Sequence, residues 1–561
     1  MRRPTTIITL TTLSLVSLVV FLLYFPISFG VFQHDEWGSV SRYFLNQESF
    51  WGTMRTAFTP FVTHYVPLHQ VGVQIYLRIF GLNYNYYAFA SIAAHLFSAL
   101  LVFFWARKIF QQTFYGLVVF AVFAFGVAGY QATSWPLSDI NTHGATIFGV
   151  LSLLVFLKYL DSFEKAKQTK RYVWTSFGLF LISLLFKEIT IALPFVYFLL
   201  IYLLKPSLWK KNRYFLIPLV TIIIFYVTLR ALLFLTPRVS SGDRLVTTYQ
   251  SKSEIASNLF TFPTKTISQS IIPVNILLSL SRGITKILPE TVTGQPGTTL
   301  YDQFAEGITL QGVNLFLFLV VLLVGVKIYK KGGKNLGTTY FFGLIFGIVN
   351  SWVYVLSPGR DGYVPVIDSR NIYFPFIGIT MCFTTVFIFL RNKNRIVGWL
   401  FLFMILTVNV FSLKNEVKVI ADRGKIRKNI LTQVKRDYPV LPPKVVFYIE
   451  SDSSYYGLPE EVKILPFQTN FGSTLFIWYL PTEKFPKEMV DKGWLFSDLT
   501  AEGYKEIGGR GFGYFWDITK LKKVVLEKNL SPEMVFGYRY FSLTNRLVNI
   551  SEEVRARITN K

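Results

Sequence analysis

Ile7-Ile-Thr-Leu-Thr-Thr-Leu-Ser-Leu-Val-Ser-Leu-Val-Val-Phe-Leu-Leu-Tyr-Phe-Pro-Ile-Ser-Phe29 is an apolar run without a single charge. A helix needs about 20 such residues to cross a hydrocarbon core of about 30 Å, and this run is long enough. Arg2 and Arg3 precede it and no small-residue cleavage site follows it. It therefore reads as a retained first span with a cytoplasmic N-terminus rather than as a signal peptide.

Working outward, comparable runs lie near 84–105, 114–130, 141–160, 173–186, 189–204, 214–235, 313–328, 339–356, 372–390 and 397–413. With the first run they amount to about eleven spans. The polar pair Lys187-Glu188 interrupts 173–204, so two short spans or one broken segment fit there. Composition agrees: 52% of the 561 residues are hydrophobic and only 16% charged, against about a quarter charged in soluble domains. Mean hydropathy is +0.42. A soluble enzyme, a disordered chain and a disulfide-stapled secreted domain are excluded. Cys382 is the only cysteine, which rules out an internal disulfide and a CxxC metal or redox site.

The net charge of +25 is explained by loops rather than by nucleic acid, which is not an expected partner. Alternate loops carry Arg107-Lys108; Lys165, Lys167, Lys170 and Arg171; Lys205, Lys210, Lys211 and Arg213; Lys327, Lys330, Lys331 and Lys334; and Arg391, Lys393 and Arg395. The intervening loops, such as 131–139, lack this bias. Basic loops stay in the cytoplasm, so the span number is odd and the segment after 413 lies outside. The expectation is an α-helical polytopic membrane protein: a transmembrane domain over 1–413 and a small non-cytoplasmic α/β domain over 414–561. Two outer loops are large, 30–66 and 236–311. Segment 37–54 has amphipathic spacing, and 255–281, broken by Pro263 and Pro273, reads as helices lying on the membrane interface. In the C-terminal domain, 444–450 and 476–480 read as strands.

Three polar clusters fall at expected outer ends of spans. Gln33-His34-Asp35-Glu36-Trp37 opens the first outer loop. A carboxylate there can act as a base toward an acceptor hydroxyl or bind a hard divalent cation, Mg or Mn, with Asp35 as the ligand; a solvated loop start is the plain alternative. All five histidines, His34, His64, His69, His95 and His143, lie in the first 143 residues. His95 sits inside a span and reads as a hydrogen-bonded core residue. His64 and His69 are five apart, which does not match a helical zinc pair. Lys187-Glu188 form the second cluster, since charge between apolar runs is paired or functional; a snorkelling lysine is the alternative. Arg360, Asp368, Arg370 and Tyr373 form the third. Arginine's planar fork suits phosphate oxygens, and a salt bridge from Arg370 to Asp368 is the competing reading. Gly332-Gly-Lys-Asn-Leu-Gly337 lacks a phosphate-loop lysine and reads as a linker between spans. Gly508-Gly-Arg-Gly-Phe-Gly513 reads as a turn.

The order of these clusters resembles the GT-C glycosyltransferases. Leu184-Leu-Phe-Lys187-Glu188-Ile-Thr-Ile-Ala-Leu-Pro194 is similar to the membrane O-mannosyltransferases that carry tetratricopeptide repeats. Ser369-Arg370-Asn-Ile-Tyr373-Phe-Pro375 resembles their Glu-Arg-Tyr-Leu-Tyr-x-Pro motif, with Ser369 in place of Glu, and no such repeats follow. The resemblance implies inverting transfer of a sugar from a polyprenyl-phosphate donor to a protein, glycan or lipid hydroxyl on the non-cytoplasmic face of the cell membrane. It puts the base or metal-linked carboxylate on Asp35, with Glu36 beside it, and the donor phosphate on Lys187 and Arg370. His34, His64, His69, Glu188, Arg360 and Tyr373 are the further substrate-binding candidates. Asp35, Lys187 and Arg370 are expected to converge on one cavity. A transporter or flippase, or a non-catalytic subunit of a cell-envelope polysaccharide assembly, are the alternatives.

Overall fold

The computed structural model describes residues 3–45, 50–58, 65–164, 170–204, 206–209, 216–235, 252–355, 366–453, 463–467, 471–489 and 502–559. Among them, seven helices are long and apolar enough to cross a membrane: Thr6–Phe29, Tyr84–Phe110, Ile140–Phe163, Thr299–Lys331, Lys334–Tyr354, Ser369–Lys393 and Arg395–Asp437. A bent pair, Thr113–Ala124 and Val127–Ser134, meets the criterion jointly across a 51° break, and Glu188–Leu204 and Ile217–Leu229 are shorter apolar helices. The chain forms two compact units. One comprises Met1–Phe25, Met54–Gly72 and Ala88–Lys418; the other comprises Pro26–Thr53, Val73–Tyr87 and Val419–Lys561.

In the first unit, Ser369–Lys393 is buried on nearly all sides and packs against Lys334–Ser351. Their backbones touch at glycines: a Cβ on Gly343 would stand 2.6 Å from the Gly378 carbonyl oxygen. Small residues permit this approach in lipid, where apolar burial gives helices little drive to associate. The break after Ala124 is closed by side chains, because exposed backbone groups cannot be left in hydrocarbon. Val127 N–H donates to Asn409 Oδ1 at 3.1 Å, and the Ala124 carbonyl accepts from His95 Nε2 at 3.0 Å.

The prolines of 255–281 act differently from one another. The helix Lys252–Ile271 continues through Pro263 and stops before Pro273. Pro263 has no N–H for the Leu259 carbonyl four residues back. Trp352 Nε1 donates to that oxygen instead, at 3.1 Å. The linker reading of the 332–337 glycines holds: Leu310–Lys331 ends there and Lys334–Ser351 begins, with Gly333 at φ +94°.

The second unit holds a five-stranded mixed sheet of order β2-β3-β1-β4-β5, with β1 Lys444–Ser451, β2 Gly503–Ile507, β3 Arg510–Phe515, β4 Val535–Phe541 and β5 Arg546–Asn549. β1 is central and parallel to both β3 and β4, while β2 and β5 pair antiparallel at the edges. Side chains alternate across β1, as the strand period requires. Val446 and Tyr448 meet Leu521 and Val554 on one face; Phe447 meets Phe512, Phe536 and Tyr479 on the other. Gly508 and Gly509, at φ +57° and +78°, form the two-residue β2–β3 hairpin turn, which needs positive φ at both positions. The turn reading thus holds for 508–509, and 510–513 continue as strand.

One expectation for this unit is corrected, and one helix runs on beyond its apolar segment. Segment 476–480 is not a strand: Phe471–Tyr479 is a helix buried at eight of its nine residues. A short segment that is apolar all round carries no periodicity to separate strand from helix. The last apolar run also does not end its helix at 413, because Arg395–Asp437 is continuous. Val417, Ala421, Ile430, Leu431 and Val434 are buried along it, so the helical period persists after the residues turn charged.

Candidate functional site

The polar cluster of the first unit is assembled from three helix ends. Asp139 precedes the helix Ile140–Glu164, and its carbonyl accepts from Thr142 and His143 N–H. Lys187 follows Lys170–Phe186, the neighbour packed along that helix. Arg370 lies in the first turn of Ser369–Lys393. Adjacent helices running in alternate directions place one C-terminus beside two N-termini.

Thr142 links the first two. Its hydroxyl donates to Asp139 Oδ1 at 2.8 Å, and its oxygen accepts from Lys187 Nζ at 2.9 Å. Asp139, Lys187 and Glu188 are all buried. Arg370 keeps a partly exposed guanidinium 4.9 Å from the Trp135 ring centre and 3.7 Å from Asp368 Oδ2. The salt-bridge reading of Arg370 holds, since it is paired with Asp368. Asp139, Arg370, Glu188 and Asp368 are close enough to act electrostatically on Lys187. Three carboxylates and two cations give no net positive charge. An anion held here is held by directed N–H groups rather than by the field of the cluster.

Tyr373 sits one turn further into the same helix and is buried. Its hydroxyl lies 2.8 Å from His95 Nδ1. The Ala124 carbonyl can only accept, so His95 carries its proton on Nε2, and Tyr373 donates to Nδ1. His95 is the hydrogen-bonded core residue expected from its position. His143 stands edge-on to Tyr373, with ring centres 5.2 Å apart. Ser369 Oγ, where the resembling motif has Glu, accepts from Gln131 N–H at 2.9 Å.

The first acidic cluster belongs to the second unit. Gln33 precedes the helix His34–Leu45, and Glu36 reaches back to accept from Gln33 N–H at 2.7 Å. This contact, one half of a capping box, satisfies the N–H of the residue that precedes the helix. The side chains of His34 and Asp35 lie outside the described residues, as do His64 and Arg360. His69 is buried in the first turn of Pro67–Phe80. Among the described residues no three His, Cys, Asp or Glu side chains converge to hold a metal ion. Asp35, the expected ligand, is not among the described side chains.

Asp139 and Thr142 were not legible as site residues in the sequence. The available signal is that Asp139 is the only charged residue of the 131–139 loop, placed three positions before a threonine at a span start.

No protein-family model matches the chain, and no curated protein matches its sequence. Among solved structures it is similar to the archaeal oligosaccharyltransferase AglB from Archaeoglobus fulgidus in complex with an inhibitory peptide and a dolichol-phosphate. The identity is 11% and the TM-score 0.37, over 79% of this chain and 62% of that one. It is also similar to the A. fulgidus oligosaccharyltransferase tethered through a disulfide to an acceptor peptide containing the NVT sequon. There the identity is 12% and the TM-score 0.36, over 79% of this chain and 61% of that one. The chain thus spans less than two thirds of those proteins' length.

Proposed function

We propose that the protein is a membrane glycosyltransferase that moves a sugar from a polyprenyl-phosphate donor to an acceptor hydroxyl on the non-cytoplasmic face. The observation that carries this reading is the nearness of Lys187 and Arg370, far apart in sequence, in one polar cluster where the helices end, with Lys187 buried and Arg370 partly exposed. Buried charge among apolar helices is costly and marks function by default. A lipid-linked phosphate must be held at the depth where spans end, and these two cations are of the type that holds phosphate.

In this reading residues 1–413 carry the chemistry, and 414–561 form a non-cytoplasmic domain. Asp35 takes the proton of the acceptor hydroxyl. The hydroxyl oxygen attacks the anomeric carbon from the side opposite the phosphate, which inverts the configuration. The polyprenyl phosphate leaves with its charge received by Lys187 and Arg370. The remaining candidates His34, His64, His69, Glu188 and Arg360 would shape the sugar and acceptor sites, while Tyr373, bonded to His95, would hold the helices beside them.

Membranes containing the protein, incubated with radiolabelled polyprenyl-phosphate sugars, should transfer label to an acceptor fraction. Lys187→Met should lower transfer by about 10²–10³-fold, the size of a lost charge-stabilising donor. Arg370→Lys, which keeps the charge but loses the fork and the Trp135 contact, should lower it by about tenfold. Variants that transfer at the wild-type rate would overturn the assignment.

A further inference from the structure

We infer that Asp139 and Thr142 are positioning residues that aim Lys187 at the donor phosphate, an inference that rests on the proposed function. Lys187 has three N–H donors. Among the described residues it makes one side-chain hydrogen bond, to Thr142 Oγ1, and no ion pair within 4.0 Å, although it is buried. Two of its donors are therefore unspent. Asp139 is equally incomplete: Thr142 occupies Oδ1, while the fully buried Oδ2 has no hydrogen-bond partner among the described residues. A buried cation and a buried carboxylate, joined through a hydroxyl and each short of partners, are poorly arranged for stability.

They are well arranged for binding. The Thr142 hydrogen goes to Asp139 Oδ1 at 2.8 Å, with Asn141 Oδ1 at 3.2 Å as the longer alternative, so its oxygen faces Lys187 only as an acceptor. The negative charge of Asp139 polarises that oxygen and strengthens its hold on the ammonium. Lys187, a flexible point charge on a four-carbon stem, is thereby fixed in one direction with two N–H groups left for phosphate oxygens. Direct pairing with Asp139 would have consumed the charge instead. The hydroxyl spacer keeps the carboxylate from competing with the phosphate, which suits a monoanionic or dianionic phosphate ester on a lipid.

The test measures saturable binding of radiolabelled short-chain polyprenyl monophosphate to the full-length protein in nanodiscs, alongside thermal unfolding. Asp139→Asn and Thr142→Val should each weaken binding by about five- to tenfold, the size of one hydrogen bond. Thr142→Ser, which keeps the hydroxyl, should stay within about twofold of wild type. Asp139→Asn should not lower the unfolding midpoint, which separates positioning from a structural role. If Lys187→Met loses binding while Asp139→Asn and Thr142→Val bind as wild type, the relay is overturned and the phosphate site stands. If the wild type shows no saturable binding, the proposed function fails, and the relay with it.

Discussion

Tyr373 Oη and His95 Nδ1 stand 2.8 Å apart although 278 positions separate them, and the other histidine nitrogen closes the Ala124 carbonyl freed by the helix break. One imidazole thus joins three spans. Tyr373→Phe removes the donor and leaves Nδ1 buried without a partner, which costs about 1–3 kcal/mol. The expected outcome is a lower unfolding midpoint in detergent with glycosyl transfer per folded molecule retained. An unchanged midpoint with lost transfer would instead assign Tyr373 to the substrate.

Asp35→Asn and Glu36→Gln should separate the two neighbouring carboxylates. Glu36 caps the helix His34–Leu45 through Gln33 N–H, and glutamine serves in that position as glutamate does. Glu36→Gln is therefore expected to be mild in both stability and activity. Asp35→Asn is expected to lower transfer by about 10²–10⁴-fold, as for a lost general base. Turnover measured on equal amounts of folded protein checks the pair, and a fully active Asp35→Asn enzyme removes Asp35 from the mechanism.

Acid should loosen the C-terminal sheet through Glu450. Burial works against its charge, but hydrogen bonds from Arg557 and Arg539 outweigh that and hold its carboxyl below the usual value of 4.5. Arg539 Nε donates at 2.8 Å, and Arg557 donates to the other oxygen. A lowered folded pKa means the stabilisation is complete above the unfolded value and is lost as pH falls through the folded one. Amide exchange in β1 and in Ser551–Thr559 should therefore accelerate below about pH 4. Glu450→Gln should flatten that dependence; an identical acid response in the variant would place its origin elsewhere.

Topology is open to a direct measurement. A reporter fused after Lys561 should be non-cytoplasmic, and one inserted within 327–334, between Leu310–Lys331 and Lys334–Ser351, should be cytoplasmic. Reporters on the same side would overturn the placing of the three clusters at outer ends of spans.

Legibility differed from residue to residue. Lys187-Glu188 stood out because charge inside an apolar run is expensive wherever the chain folds, and the structure buries both. Gly508-Gly509 was readable because positive φ is a local property of the backbone. Phe471–Tyr479 was not readable, since its apolar composition suits a strand or a helix and only packing against the sheet chose between them. The continuation of the helix past 413 is not readable, because bilayer thickness sets the length of an apolar run but not the length of a helix.

The sequence by itself determined that this is a polytopic membrane protein, where its apolar runs lie and that its charges gather between them, because hydropathy and helix period are local and additive. Only the tertiary structure decided the partners: Thr142 between Asp139 and Lys187, His95 on the Ala124 carbonyl, Trp352 on the oxygen that Pro263 leaves open. Each satisfies a polar group that lipid cannot, and which distant side chain does so is settled by how helices cross, a property that no short stretch of residues contains.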